Sequence, residues 1–233
     1  MKNFLYLFVN IATIAIPFVY SFHPRLRFWD RIKPFLLANF ITGLFFIVWD
    51  SYFTYLGVWG FTPDYLTGIY VFNLPIEEIL FFLCIPYACV FSYHCFGVLL
   101  KLNPIANTKL VSLALIFLSL ILTVVYIDNY YTTSTFFLLA VFLTFIEFIK
   151  KVTWIKQYYI TYAAMILPFF IVNGILTGFG LEAPIVWYNE NEMIGYRMLT
   201  IPFEDAFYGF LLVGINIYLM ELFESKKVFK QNS

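Results

Sequence analysis

Charge is scarce in this 233-residue chain: Asp, Glu, Lys and Arg together make up 12% of it, about half the share usual in a soluble domain. That scarcity excludes an ordinary water-facing surface. The 14 basic and 14 acidic residues cancel, so no basic excess argues for nucleic acid. No Gly-x-Gly-x-x-Gly occurs, which removes the fingerprint of a dinucleotide-binding βαβ unit, so no Rossmann flavin site and no cofactor are expected. Two histidines, His23 and His94, lack metal-ligand companions and receive no role. The three cysteines, Cys84, Cys89 and Cys95, fall in one apolar segment without a Cys-x-x-Cys pair, so free buried thiols are expected and no metal site. No small-residue cleavage site follows Met1 to Tyr20; Phe22, His23, Pro24 and Arg25 do. The stretch reads as a retained first span, not a leader.

What is present is apolar: 62% hydrophobic residues, 23% aromatic, mean hydropathy +0.84. A helix needs about 20 apolar residues to cross the hydrocarbon, and seven runs qualify, roughly 3–22, 35–56, 69–99, 109–127, 134–150, 158–176 and 197–223. The fold class expected is all-α, a polytopic membrane protein. Basic residues gather on alternate connections: Arg25, Arg27, Arg31 and Lys33; Lys101 and Lys109; Lys150, Lys151 and Lys156; Lys226, Lys227 and Lys230 in the tail. Only Lys2 and Arg197 fall elsewhere. Because basic loops stay in the cytoplasm, this pattern predicts a cytoplasmic C-terminus and an outside N-terminus, in the cell inner membrane.

The chain also repeats itself. Gly68-Ile-Tyr-Val-Phe-Asn-Leu-Pro75-Ile-Glu77-Glu78 matches Gly195-Tyr-Arg-Met-Leu-Thr-Ile-Pro202-Phe-Glu204-Asp205 at an offset of 127, and Phe45-Phe46-Ile47-Val48 recurs as Phe169-Phe170-Ile171-Val172 at 124. The division expected is one three-helix repeat over 1–100, a linking helix within 101–133 and a second repeat over 134–233. Three spans invert the chain and the extra span restores its direction, so the copies should run parallel. On the run boundaries above, each acidic pair lies about eight residues inside its span.

Four carboxyls inside apolar spans are expensive, about 2.5–3.5 kcal/mol each at a bilayer centre, and so mark function. Glu77, Glu78, Glu204 and Asp205 are therefore the candidate catalytic residues. Arg197 is the one cation within these runs and cannot neutralise four acids, so at least one acid is expected to keep its proton. Adjacent residues on a helix point about 100° apart, so one member of a pair can face a cavity while the other supports it. Pro75 and Pro202 loosen each helix start. Asp50 and Asn173, at a similar depth, are candidate supporting residues, as is Arg197, seven residues and about two turns before Glu204. Glu147 lies one turn from Lys150 and Lys151 and reads as an interfacial ion pair. Trp49, Trp59, Trp187, Tyr70, Tyr188 and Tyr208 read mostly as interfacial belt or core. The aromatic excess goes beyond a belt, however, and aromatic faces stabilise cations.

Taken together, Leu74-Pro75-Ile76-Glu77-Glu78 with Phe81-Phe82, Asn173-Gly174-Ile175-Leu176-Thr177, Pro184, Val186-Trp187-Tyr188-Asn189, Arg197 and Ile201-Pro202-Phe203-Glu204-Asp205 with Tyr208 resemble the lycopene cyclases of the heterodimeric or fused bacterial and fungal type, which have no dinucleotide-binding domain. The resemblance spans both three-helix halves. It implies cyclisation of the linear ψ-ends of lycopene, held in the lipid bilayer, to β-ionone rings. A neutral acid would then protonate C2 of the end group, and a carboxylate would remove the proton from C6. Two other readings are weighed beside it: a proton-coupled transporter, which shares intramembrane acids and repeats, and a membrane prenyltransferase, which would need Mg²⁺-binding Asp at helical spacing that the adjacent pairs do not supply.

Overall fold

The computed structural model describes residues 2–100 and 108–231, with side chains up to residue 225. Lys101, Lys226, Lys227 and Lys230 of the charge pattern therefore lie outside what is described. Among the described residues seven helices are long and apolar enough to cross a membrane: α1 (Leu5–Tyr20), α2 (Ile32–Leu56), α3 (Ile76–Leu99), α4 (Thr108–Val125), α5 (Tyr130–Thr144), α6 (Ile155–Leu176) and α7 (Phe203–Gln231). A π-helical turn, Phe145–Ile149, extends α5. Three two-stranded ladders use β1 (Trp59–Phe61), β2 (Tyr70–Val71), β3 (Leu74–Pro75), β4 (Val186–Tyr188), β5 (Arg197–Met198) and β6 (Ile201–Pro202).

Two boundaries differ from the hydropathy runs in a way that matters. Residues 69–75 and 197–202 are apolar but form the β2–β3 and β5–β6 hairpins, so α3 and α7 begin only at Ile76 and Phe203. The backbone explains it. Gly68 and Gly195 take positive φ (83° and 80°), and so do Phe72 and Leu199 in the tight turns (57° and 61°), a region that breaks helical continuity. Pro75 and Pro202 close the hairpins opposite Tyr70 and Arg197. The amide of Ile76 donates to the Ile69 carbonyl (2.9 Å) and that of Phe203 to Tyr196 (3.1 Å). Every one of these features recurs at the 127-residue offset. The acidic pairs consequently stand in the first helical turn, not eight residues inside a span. The fifth helix likewise starts at Tyr130, ahead of the expected 134.

The chain divides into two compact units, Met1–Tyr55 with Thr62–Leu99 and Leu212–Ser233, and Leu56–Phe61 with Leu100–Leu211. Within the first, α1 packs along α3: Tyr6, Val9 and Asn10 are buried, and Ser21 Oγ meets Tyr87 Oη at 2.6 Å. Tyr87 packs edge to face on Phe28 and on Phe35, with ring centroids 5.6 and 5.4 Å apart, and the two Phe rings meet at a tilt at 6.1 Å. Asn39 donates to the Phe82 carbonyl (2.9 Å) and to Asn216 (3.3 Å), so polar groups inside the helices are tied to their neighbours.

This unit also holds Arg31, which the hydropathy runs left on a connection and which joins the helical stretch leading into α2, whereas Arg197, expected inside a span, lies outside the spans found among the described residues. Its guanidinium reaches both Glu221 (3.1 Å) and Glu224 and meets His94 Nδ1 at 3.0 Å.

Within the second unit, α4 packs on α5. Glu147, expected to pair with Lys150 and Lys151, is buried instead and accepts hydrogen bonds from Ser112 Oγ (3.0 Å) and Thr108 Oγ1 (3.3 Å). Lys150 lies over the Phe145 ring. The π-turn rotates Glu147 toward α4, away from the lysines. Strands β1 and β4 pair antiparallel as Trp59 with Tyr188, Gly60 with Trp187 and Phe61 with Val186. These strands are themselves 127 residues apart in sequence.

Candidate active site

Each acidic pair is held by groups from its own unit, and the two environments share a plan. In the first unit Glu77 is fully buried and Glu78 nearly so. Glu77 Oε1 accepts the backbone N–H of Thr67 at 2.6 Å, and Asn10 Nδ2 donates to the Glu77 carbonyl at 2.8 Å. The Tyr6 hydroxyl donates to Glu78 Oε2 at 2.5 Å. Asp50 is buried on α2 in the same unit.

In the second unit Glu204 and Asp205 are buried to the same degree. Glu204 Oε1 accepts from the backbone N–H of Ile194 (2.7 Å) and the Thr132 hydroxyl (2.6 Å). Asp205 collects three donors: Tyr131 Oη on Oδ1 at 2.6 Å, and Asn173 Nδ2 and Tyr188 Oη on Oδ2 at 3.0 and 3.1 Å. The Ile194 amide stands 127 residues after the Thr67 amide and makes the equivalent bond. Tyr131 stands in the place of Tyr6 at an offset of 125.

The first turn of a helix suits such groups, because its amides and dipole favour negative charge. Here the loop immediately before each helix adds an amide that donates directly to the first acid. Around Asp205 the rings of Trp59, Tyr131, Tyr188 and Tyr208 pack with centroids 5.1–6.4 Å apart. In the first unit Tyr6 packs against Phe81 at 6.4 Å, and Phe81 against Phe82 at 5.6 Å. An anion inside an aromatic cluster is suited to a transient carbocation: the carboxylate compensates the charge and the ring faces stabilise it.

The sequence-derived supporting residues separate. Asn173 does bond to an acid. Pro75 and Pro202 are buried in the hairpins that set the acids at their helix starts. Arg197, expected one helical face from Glu204, is on β5, outside α7. Its Nη2 pairs with Glu190 Oε1 at 2.6 Å, its Nη1 donates to the Thr200 carbonyl at 2.7 Å, and it lies 5.8 Å from the Tyr188 ring. Tyr188 in turn donates to Asp205, which links Arg197 to the acid. Sequence reasoning missed Tyr6, Asn10, Tyr131 and Thr132. Extending the repeat upstream would have paired Tyr6 with Tyr131, since Tyr6-x-x-x-Asn10 corresponds to Tyr131-x-x-x-Thr135, whereas Thr132 stands opposite Leu7 and carries no such signal. Cys84, Cys89 and Cys95 are free thiols, and among the described residues no group of three or more His, Cys, Asp or Glu gathers as a metal site.

The family model described as lycopene cyclase matches residues 3–96 and 128–223, leaving the segment that carries α4 between them. A bifunctional lycopene cyclase/phytoene synthase of Aspergillus niger is 32% identical over 75 residues, 32% of this chain and 13% of that protein. The aligned stretch is thus a small part of the relative. No solved structure matches the chain.

Proposed function

This chain belongs to the lycopene cyclase family, and from that premise we propose that it is a lycopene β-cyclase, closing the linear ψ-ends of lycopene into β-ionone rings within the bilayer. A carboxylic acid of the Glu77–Glu78 or Glu204–Asp205 pair transfers its proton to C2, breaking the C1=C2 π bond and leaving a tertiary cation at C1. The C5=C6 π electrons form the C1–C6 bond and move the cation to C5. A carboxylate then takes the proton from C6, and the electrons of that C–H bond restore C5=C6. One proton enters and one leaves, so the product is an isomer and no electron acceptor is required.

The observation that carries this reading is the recurrence of two adjacent buried carboxyls in the first turn of α3 and again of α7, each supported by hydrogen-bond donors. Paired acids in a low-dielectric surround favour unlike protonation states, which supplies one donor and one acceptor. Asn173 supports the acceptor, Pro75 and Pro202 fix the helix starts, and Arg197 steadies the hairpin and Tyr188. Asp50 is assigned to substrate support on α2. The 1–100 and 134–233 segments act as parallel copies with the C-terminus in the cytoplasm.

The test is direct. In lycopene-accumulating cells the wild-type chain should shift pigment from red to yellow-orange, with β-rings found by chromatography. Glu78→Gln and Glu204→Gln should each lower conversion at equal membrane levels. Unchanged pigment with the wild-type chain would sink the reading.

A further inference from the structure

We infer that Glu204 is the protonated acid of the second pair and Asp205 its ionised partner, and that Glu77 holds the corresponding proton in the first. The assignment rests on the cyclase reading for its chemical meaning, but the argument itself is hydrogen-bond accounting. The donors are distributed unequally. On Glu204 both fall on one oxygen: Oε1 accepts the Ile194 amide at 2.7 Å and the Thr132 hydroxyl at 2.6 Å. Oε2 is buried and meets no hydrogen-bond partner among the described residues. The Ile194 amide can only donate, so Oε1 is an acceptor.

An ionised carboxylate shares its charge over two oxygens, and leaving one of them buried without a donor forfeits much of its solvation. A neutral acid has no such requirement. Its carbonyl oxygen takes both donors, and its hydroxyl keeps a proton that can be handed on. Asp205 shows the opposite pattern, with donors on both oxygens, Tyr131 on Oδ1 and Asn173 and Tyr188 on Oδ2. Three donors and no acceptor are what an ionised carboxylate takes up.

The first unit repeats the acid's half. Glu77 Oε1 takes the Thr67 amide at 2.6 Å, and Glu77 Oε2, also buried, meets no hydrogen-bond partner among the described residues. Two side chains 127 residues apart thus leave the same oxygen unengaged in a fully buried carboxyl. A buried O–H without a protein acceptor suits an alkene, whose π electrons are a weak acceptor that proton transfer converts into a C–H bond. In the second unit Glu204 Oε2 therefore delivers the proton to C2, and Asp205 stabilises the cation and takes the proton from C6.

The experiment reads the proton apart from the activity. Infrared spectra of the purified chain in lipid vesicles report the carbonyl stretch of neutral carboxylic acids, which a carboxylate lacks. Glu204→Gln and Glu77→Gln should each remove part of that band, and Asp205→Asn should leave it unchanged. Thr132→Val keeps the acid but removes one donor from its carbonyl, so it should move the Glu204 component to higher frequency. This reading stands even if Glu204→Gln fails to accumulate.

In lycopene-accumulating cells Glu204→Gln should raise the share of unreacted lycopene, because the second pair then forms no cation. Asp205→Asn should still consume lycopene but divert it to rings with the double bond elsewhere, or to an alcohol from water capture. Loss of the band in Asp205→Asn with its retention in Glu204→Gln would overturn the assignment. So would a Thr132→Val spectrum without a shift, or Asp205→Asn cells that hold only unreacted lycopene. A wild-type chain that shows the band and its Thr132→Val shift but leaves lycopene untouched would refute the cyclase reading alone.

Discussion

The Tyr131 hydroxyl meets Asp205 Oδ1 at 2.6 Å and ties the first turn of α5 to the first turn of α7. Its counterpart, Tyr6 to Glu78 at 2.5 Å, ties α1 to α3. In each unit two helix ends are thus joined by a phenol and a carboxyl, and Asp205 accepts from two further donors.

Hydrogen bonds to charged groups contribute about 1.5–3 kcal/mol. Tyr131→Phe keeps the ring in its aromatic cluster and removes only the bond. If Asp205 acts as an anion in the reaction, cyclisation should fall roughly ten- to a hundredfold at unchanged protein level, since 1.4 kcal/mol corresponds to about tenfold. Tyr188→Phe, at 3.1 Å and with Asn173 sharing the same oxygen, should cost less. Equal conversion by Tyr131→Phe and the wild type in a timed assay would remove Asp205 from the reaction.

Hydropathy and charge revealed seven helices, and the Pro-x-acid-acid recurrence revealed both candidate sites. What they missed has a common cause. Val71, Leu74, Met198 and Ile201 are apolar enough to pass for membrane helix, and only the positive φ at Gly68, Phe72, Gly195 and Leu199 turns those segments into hairpins. Hydropathy does not register φ. The same error put Arg197 on a helical face it does not occupy. Tyr131 and Thr132 lie before the most apolar part of their span, so a window on hydropathy started too late to include them, although the repeat would have carried in Tyr131.

Gly60 faces Trp187 across the β1–β4 ladder, and a Cβ added there would stand 2.4 Å from Trp187 Cζ2. Gly60→Ala should therefore destabilise by about 1–3 kcal/mol, as overpacking does. Trp187→Val alone should cost little, since Trp187 is exposed, and combined with Gly60→Ala it should recover the lost stability. Thermal midpoints in detergent for the two single variants and the double variant decide it; additive losses would show that the close approach is not the cause.

Arg197 binds Glu190, which is 58% exposed, and exposed ion pairs contribute only about 0–1 kcal/mol. Arg197→Met should lower conversion by no more than about fivefold on that scale, acting through a loosened Tyr188. Arg197→Lys should lie between Met and wild type, because it keeps the charge without the planar fork. Complete loss of cyclisation in Arg197→Met at normal membrane level would show that the guanidinium acts on Asp205 directly.

The basic residues predict which side each loop faces. A reporter fused after Ser233 should read cytoplasmic, and reporters near Asp64 and Asn191 should both read outside. Opposite readings at Asp64 and Asn191 would overturn the parallel arrangement of the copies.

Arg31 sets the last expectation, because it holds the helix ends away from the acidic pair of its unit. Its Nε donates to Glu224 Oε1 at 2.6 Å, its Nη2 reaches Glu221 and Glu224, and its Nη1 meets His94 Nδ1 at 3.0 Å. His94 Nε2 lies 2.6 Å from the Leu26 carbonyl, which can only accept. His94 therefore carries its proton on Nε2 and offers Nδ1 to Arg31. One cation thus serves two carboxylates and a histidine. Arg31→Met leaves both acids uncompensated, and the cost should approach but not reach the about 3–5 kcal/mol of breaking a fully buried pair, since these side chains are 22–29% exposed. Arg31→Lys should recover only part of this, because an ammonium cannot span Glu224, Glu221 and His94 at once. Glu224→Gln in the Arg31→Met background should restore stability by removing one uncompensated charge, although Glu224→Gln alone destabilises. That reversal of sign, read from thermal midpoints, distinguishes a charge cluster from simple packing. If Glu224→Gln destabilises equally in both backgrounds, Arg31 is only a packing residue.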